Sequence, residues 1–137
     1  MKTADPTAVA LAFVERINTH DVDKLCALMT DDHRFVDALD GEGNGREHMR
    51  TGWAMYLSWF PDYSVTVERT LADGDFVMLV GRARATFAVK GELRPENAWD
   101  IPAAWTGLIR DGLVAEWRVY CDNEPARVIM KRNGVTI

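Results

Sequence analysis

The sequence predicts an α+β fold: a curved, mostly antiparallel sheet packed as a cone against three N-terminal helices, in the order α-α-β-α-β-β-β-β. Three observations lead there. Apolar residues at helical spacing fall in the first part of the chain, as in Val9, Phe13 and Ile17. Beyond Tyr63 the pattern changes to period-two alternation, punctuated by turns such as Asp73-Gly74-Asp75 and Arg110-Asp111-Gly112. Helices therefore precede the long strands instead of alternating with them, which argues against a doubly wound nucleotide fold. No GxGxxG or Walker pattern appears.

Each element has a local reason. Asp5-Pro6 starts the first helix, with proline at the first helical position. The stretch "NTHD" breaks it, and Asp21 caps a second short helix reaching about Met29. An opening strand over about 32–39 ends in the glycines of "DGEGNG", read as a loop. A third helix runs from about Arg46 to Phe60, with Met49, Trp53, Tyr56 and Phe60 on one stripe and Pro61 as its stop. The strands that follow are "YSVTVERTLA", "FVMLVGRARATFAV", "AWDIPAAWTGLI" and "LVAEWRVYC". Pro102 belongs at a bulge or an unpaired edge, because it cannot donate to a ladder.

A chain of 137 residues suits one domain, spanning 1–137. Formal net charge is −5, which weighs against nucleic-acid binding through a basic face. No apolar run approaches the roughly 20 residues of a membrane span. The N-terminal stretch reads as an amphipathic helix, not a signal peptide, because Glu15 and Arg16 follow its apolar centre directly. Cys26 and Cys121 stand far apart without a CxxC, so two reduced thiols in a cytoplasmic protein are expected. Three scattered histidines have no ligand spacing, and no metal is expected. His20 and His48 read as solvated.

The segment "DDHRFVDALDG" at 31–41 carries the candidate chemistry. Side chains alternate across a strand, so His33, Phe35 and Asp37 share one face. At about 3.3 Å per residue, His33 and Asp37 lie roughly 13 Å apart and cannot form a hydrogen-bonded dyad. His33 is either a separate acid at the far end of a pocket or a satisfied core histidine. Asp37 either faces a pocket, or caps the following loop or pairs with an arginine. On the last strand, Trp117, Val119 and Cys121 share one face. Asp122 either caps the "DNEP" turn or enters the pocket. Arg82 and Arg84 share a strand face and are expected to meet solvent or carboxylates such as Glu68. Trp99, Trp105 and Trp117 read as packing residues.

Taken together, "FVERINTHDVDKLCALMTDDHRFVD", "GREHMRTGWAMYLSWFPDY" and "RDGLVAEWRVYCDN" resemble the nuclear transport factor 2-like superfamily, in particular its SnoaL-like polyketide cyclase and ketosteroid isomerase branch. The resemblance spans nearly the whole chain. It implies a cone around a pocket, a dimer formed through the sheet, a small hydrophobic carbonyl ligand, and no cofactor. In ketosteroid isomerases a "DDATVED"-like segment ends in the general base, and "DDHRFVD" places Asp37 there. Phe35, Trp53, Tyr56, Trp59 and Val119 are the expected walls. The isomerases' helix-one tyrosine corresponds to Phe13, and their second oxyanion donor falls near Thr106. The loss of one such donor typically costs about 10²–10³ in rate, so a 3-oxosteroid isomerase is not expected. A Thr106 hydroxyl, Tyr56 or water is the substitute donor. Epoxide hydrolases of the family carry an aspartate at the Val119 position, which argues against that activity. Two functions follow as expectations. One is an isomerase or cyclase with Asp37 as base, assisted by His33. The other is a non-catalytic ligand-binding or regulatory dimer.

Overall fold

A computed structural model describes residues 5–135; the ends of the 1–137 span lie outside the described residues. Four helices and six strands follow in the order α1 (Pro6–Thr19), α2 (Val22–Cys26), β1 (Met29–Val36), β2 (Glu42–Asn44), α3 (Arg46–Trp59), β3 (Ser64–Asp73), β4 (Phe76–Thr86), β5 (Ala98–Arg110), β6 (Leu113–Cys121) and α4 (Glu124–Arg132). The strands form one open sheet in the order β2-β1-β6-β5-β4-β3. All neighbours are antiparallel except β1 and β6, which run parallel. The α+β cone expected from the sequence is therefore present. It has two additions: the short strand β2 inside "DGEGNG", and the C-terminal helix α4.

Local chemistry explains the helix ends. Asp5 accepts from the Thr7 N–H and Asp21 from the Lys24 N–H, so both N-caps form as their residue types suggest. The break at "NTHD" is a left-handed C-cap at His20. Gly45 enters α3 at φ 97° and donates its N–H to the His33 carbonyl, tying α3 to β1. Pro102 lies where β5 has outrun its pairing with β6, which begins at Ala103, so one side of β5 is free there.

One face of the sheet packs against α1 and α3 and is almost wholly apolar. Val77, Leu79, Trp105, Val114 and Trp117 from the strands meet Phe13, Ile17, Met49 and Trp53 from the helices. Phe13 is the hub, with its ring 4.6 Å from Trp117 and 5.9 Å from His33. The opposite face carries Arg82, paired with Asp100 at 2.7 Å, and Arg84, bonded to Ser64 Oγ at 3.1 Å. Glu68, the expected partner, is instead the unpaired residue of a β-bulge between Val67 and Arg69.

Candidate functional site

Helix α1 covers only part of the sheet's inner face. Beyond it lies a cavity of about 520 Å³, between α3, the inner face of β1, β4, β5 and β6, and the start of α4. Its walls are largely aromatic. Phe35, Trp53, Tyr56, Tyr63 and Trp99 form a chain of rings at centroid spacings of 6.1, 6.1, 5.2 and 6.2 Å. Phe60 bridges Tyr56 and Trp99 from behind. Leu39 and Met55, 67% and 51% exposed, also line it and form an apolar lip toward solvent.

Asp37 lies at the Phe35 end, just past β1. Its Oδ1 accepts from the Leu39 and Gly41 N–H groups, both at 2.8 Å. Its own N–H donates to the Gly41 carbonyl, and its carbonyl accepts from Asp40. The carboxylate therefore holds the 37–41 loop and also lines the cavity. Its Oδ2 accepts no hydrogen bond from the described residues. A Cβ at Gly41 would stand 2.4 Å from Oδ2, so a larger residue there would push the Asp37 carboxylate out of its place. Arg118 on β6 pairs with Asp40 and clamps the same loop from outside.

The wall also carries the hydroxyls of Tyr56 and Tyr63, the indoles of Trp53 and Trp99, and Cys121, Asn123 and Arg127. Burial pushes the Tyr56 and Tyr63 hydroxyls well above the ordinary phenol range, so both stay protonated. The indole N–H groups of Trp53 and Trp99 are buried without a partner. The Cys121 thiol, also raised by burial, donates to Asn123 Oδ1 at 3.1 Å and is a poor nucleophile. Among the described residues no group of His, Cys, Asp and Glu is arranged to hold a metal ion. No helix among them is long and apolar enough to cross a membrane.

The SnoaL-like domain model matches residues 10–117. The chain belongs to the SnoaL-like domain family. Its fold is that of a candidate SnoaL-like polyketide cyclase from Shewanella putrefaciens, at TM-score 0.77 and 15% identity over 96% of this chain and 99% of that one. IdmH, a candidate polyketide cyclase from Streptomyces antibioticus, matches at 0.74 and 22% identity over 96% and 100%. A protein of ketosteroid isomerase-like fold from Catenulispora acidiphila, solved with trimethylamine, matches at 0.71 and 19% identity over 93% of each chain. No curated protein matches the chain at a significant level.

In this SnoaL-like chain the cavity brings together Phe35, Asp37, Trp53, Tyr56, Trp59, Trp117, Val119 and Cys121. Four other expected site residues lie elsewhere. Phe13 is packed under α1 in the core, 0% exposed. Thr106 alternates with Trp105 and therefore points to the outer face of β5, where Met78 and Arg118 flank it. Asp122 is exposed and accepts from the Glu124 N–H at the start of α4. His33 shares its strand face with Phe35 and Asp37, but α1 covers that end, and the ring is 0% exposed against Phe13.

His33 Nδ1 donates to the Val114 carbonyl at 2.7 Å, which leaves the proton on Nδ1 and no partner for Nε2. Desolvation lowers its pKa, the Val114 bond and the Asp32 and Glu116 charges opposing only in part. The folded protein thus resists the charged form, while the unfolded chain protonates near 6.5. Stability is full above pH 6.5 and is expected to fall below it by about 1.4 kcal/mol per pH unit until the folded-state pKa is reached. Urea melts at pH 7.5, 6 and 5 check this; a His33→Phe variant should show a flatter dependence in that window.

Several wall residues were not legible as site residues. Tyr63, Trp99 and the α4 residues Ala126, Arg127 and Met130 line the cavity. Their signals were present. Tyr63 alternates with Val65 onto the inner face of β3, and Pro125 with Ala126, Ile129 and Met130 marks a short amphipathic helix. His20, read as solvated, donates through Nε2 to the Tyr63 carbonyl at 2.6 Å.

Proposed function

We propose that this chain is a cofactor-independent isomerase or cyclase acting on a small, largely apolar carbonyl compound held in the aromatic cavity. The observation that carries this reading is the placement of Asp37. One carboxylate oxygen accepts from two backbone N–H groups, the other accepts from none of the described residues, and Asp37 as a residue borders an apolar cavity. In this reading Oδ2 takes a proton from the carbon next to the carbonyl. The C–H electron pair becomes the C=C bond of an enolate as the carbonyl π pair moves onto oxygen; on collapse the C=O bond re-forms and a carbon of the enolate takes the proton back. The likeness to candidate polyketide cyclases supports the reaction class, and the trimethylamine held by the Catenulispora protein supports small-molecule binding in this fold. Deuterium uptake next to the carbonyl of cyclic ketones in D₂O tests it, with Asp37→Asn as the control. Uptake that is equal with and without the protein removes the reaction.

The same hydrogen bonds favour a second reading. Asp37 Oδ1 closes a loop, a task that needs no chemistry, and the SnoaL-like domain then serves as a ligand-binding module. Tight ligand binding by Asp37→Asn with no uptake in the parent protein is the outcome that selects it.

We also propose a dimer through the outer face of the sheet. Phe76, Met78, Val80, Leu108 and Tyr120 stand 41–47% exposed there, on adjacent strands. Met78→Glu is expected to shift sedimentation from dimer to monomer with the fold intact. The two unpaired thiols fit a reducing compartment such as the cytoplasm.

A further inference from the structure

Among the described residues, every half-buried arginine but one has an acceptor. Arg16 donates to the Lys24 carbonyl, Arg46 pairs with Asp31, Arg50 with Glu47 and Arg118 with Asp40. The exception is Arg127 on α4. It forms no ion pair with a carboxylate of the described residues, and its guanidinium makes no hydrogen bond among them. It also lines the aromatic cavity. A guanidinium drawn partly out of water without a counter-ion is costly, which sets Arg127 apart from the other arginines.

Asn123 stands beside it. It is the N-cap residue of α4, and its carbonyl accepts from the Arg127 N–H at 3.0 Å, so the two residues lie one turn apart at the helix start. An asparagine in that position ordinarily caps through its side chain. This one makes no cap bond, and Asp122 accepts from the Glu124 N–H instead. The Asn123 Oδ1 accepts from the Cys121 thiol at 3.1 Å, while its Nδ2 hydrogens have no acceptor among the described residues. Asn123 lines the cavity too. Two donors without acceptors, one of them charged, therefore border an otherwise largely aromatic wall. The positive dipole end of α4 adds to the same charge.

We infer that Arg127 and Asn123 anchor a carboxylate of a ligand whose apolar body occupies the aromatic cavity. The planar fork of arginine matches two carboxylate oxygens, and charge makes such bonds stronger than those between neutral groups. Asp37 borders the same cavity and forms no ion pair with Arg127, so each charge is left to act on a ligand separately. The like charge of Asp37 turns a ligand's carboxylate away from it and toward α4. This deepens the proton-abstraction reading and rests on it for the reaction. The substrate is then a carbonyl compound that also carries a carboxylate, held at α4 by that group while a carbon beside the carbonyl meets Asp37.

A matched pair of probes tests the anchor without any reaction. Naphthaleneacetate and naphthaleneacetamide have nearly the same shape and differ in charge at neutral pH. The parent protein is expected to bind the acid at least about tenfold more tightly than the amide, read by isothermal titration calorimetry at low salt. Arg127→Gln should bring that ratio near one while leaving amide binding unchanged. Arg127→Lys keeps the charge but loses the fork, and its ratio should fall between the two. Raising sodium chloride from about 20 mM to about 500 mM should shrink the ratio in the parent protein and not in Arg127→Gln. Asp37→Asn should not lower the ratio. If Arg127→Gln does not fold, Arg127→Met, which keeps an unbranched apolar stem, gives the same reading. A ratio near one in the parent protein, a preference that survives loss of the guanidinium, or no binding of either compound overturns the anchor. If the preference behaves as expected but ketones take up no deuterium, the anchor stands and the base fails; uptake without the preference has the reverse meaning.

Discussion

Asp37→Asn is expected to slow deuterium uptake into a bound ketone by about 10²–10⁴-fold, the usual worth of a positioned general base, with the melting temperature moved by only a few degrees. The substitution separates two tasks that one side chain performs. The amide oxygen of asparagine still accepts from the Leu39 and Gly41 N–H groups, so the loop remains closed. What disappears is the unpartnered, proton-accepting Oδ2. Asp37→Ala removes both, leaving two N–H groups without their acceptor at about 1–2 kcal/mol of stability. If asparagine turns over as fast as aspartate, the carboxylate is a loop cap and not a base. Proton NMR in D₂O measures the uptake directly, without knowledge of the natural product.

Gly81→Ala is expected to cost about 3 kcal/mol or more, lowering the melting temperature by about 10 °C or more. An added Cβ would stand 1.8 Å from the Thr66 carbonyl oxygen and 2.8 Å from its carbon. Both are backbone atoms of the neighbouring strand, so no side-chain rotation relieves the contact. The cause is the β3 bulge, in which Gly81 faces Val67 and Val80 faces Arg69, with Glu68 unpaired between them. The bulge brings the two backbones closer than a regular ladder does. A thermal melt decides: a loss under about 1 kcal/mol would mean that β3 can straighten freely. The bulge also matters for the site, because β3 begins at the loop that carries Tyr63.

Several elements could be read directly from the chain because their causes are local. Asp5-Pro6, Asp21 and Pro61 mark helix ends through hydrogen bonds and proline geometry within a few residues. The long strands from Phe76, Ala98 and Leu113 follow from alternation, which a fold with one buried sheet face enforces. Alternation likewise placed His33, Phe35 and Asp37 on one face. It does not say what lies on top of that face. Helix α1 seats Phe13 over His33 and stops short of Phe35, so one end of the strand became core and the other a cavity wall. That division depends on where a helix lands on a curved sheet, which is a long-range packing matter.

Thr106 illustrates the same limit from the opposite direction. A register carried over from related proteins put it in the pocket, but parity with Trp105 turns it outward. Helix α4 is a third case. Its apolar stripe is short, and Val128 and its charges obscure it, but docking Ala126 and Met130 against β5 closes the cavity.

The sequence by itself determined the order of the main elements, the α+β class, and the shared strand face of His33, Phe35 and Asp37. These depend on periodicity, capping and turn chemistry, all short-range. Only the tertiary structure decided that Asp37 both holds a loop and borders a cavity, that His33 is sealed in the core, and that Tyr56 and Tyr63 from separate segments bring their rings within 5.2 Å on one cavity wall. Those outcomes depend on which distant surfaces exclude water from one another, and that is settled only when the sheet curves and the helices pack onto it.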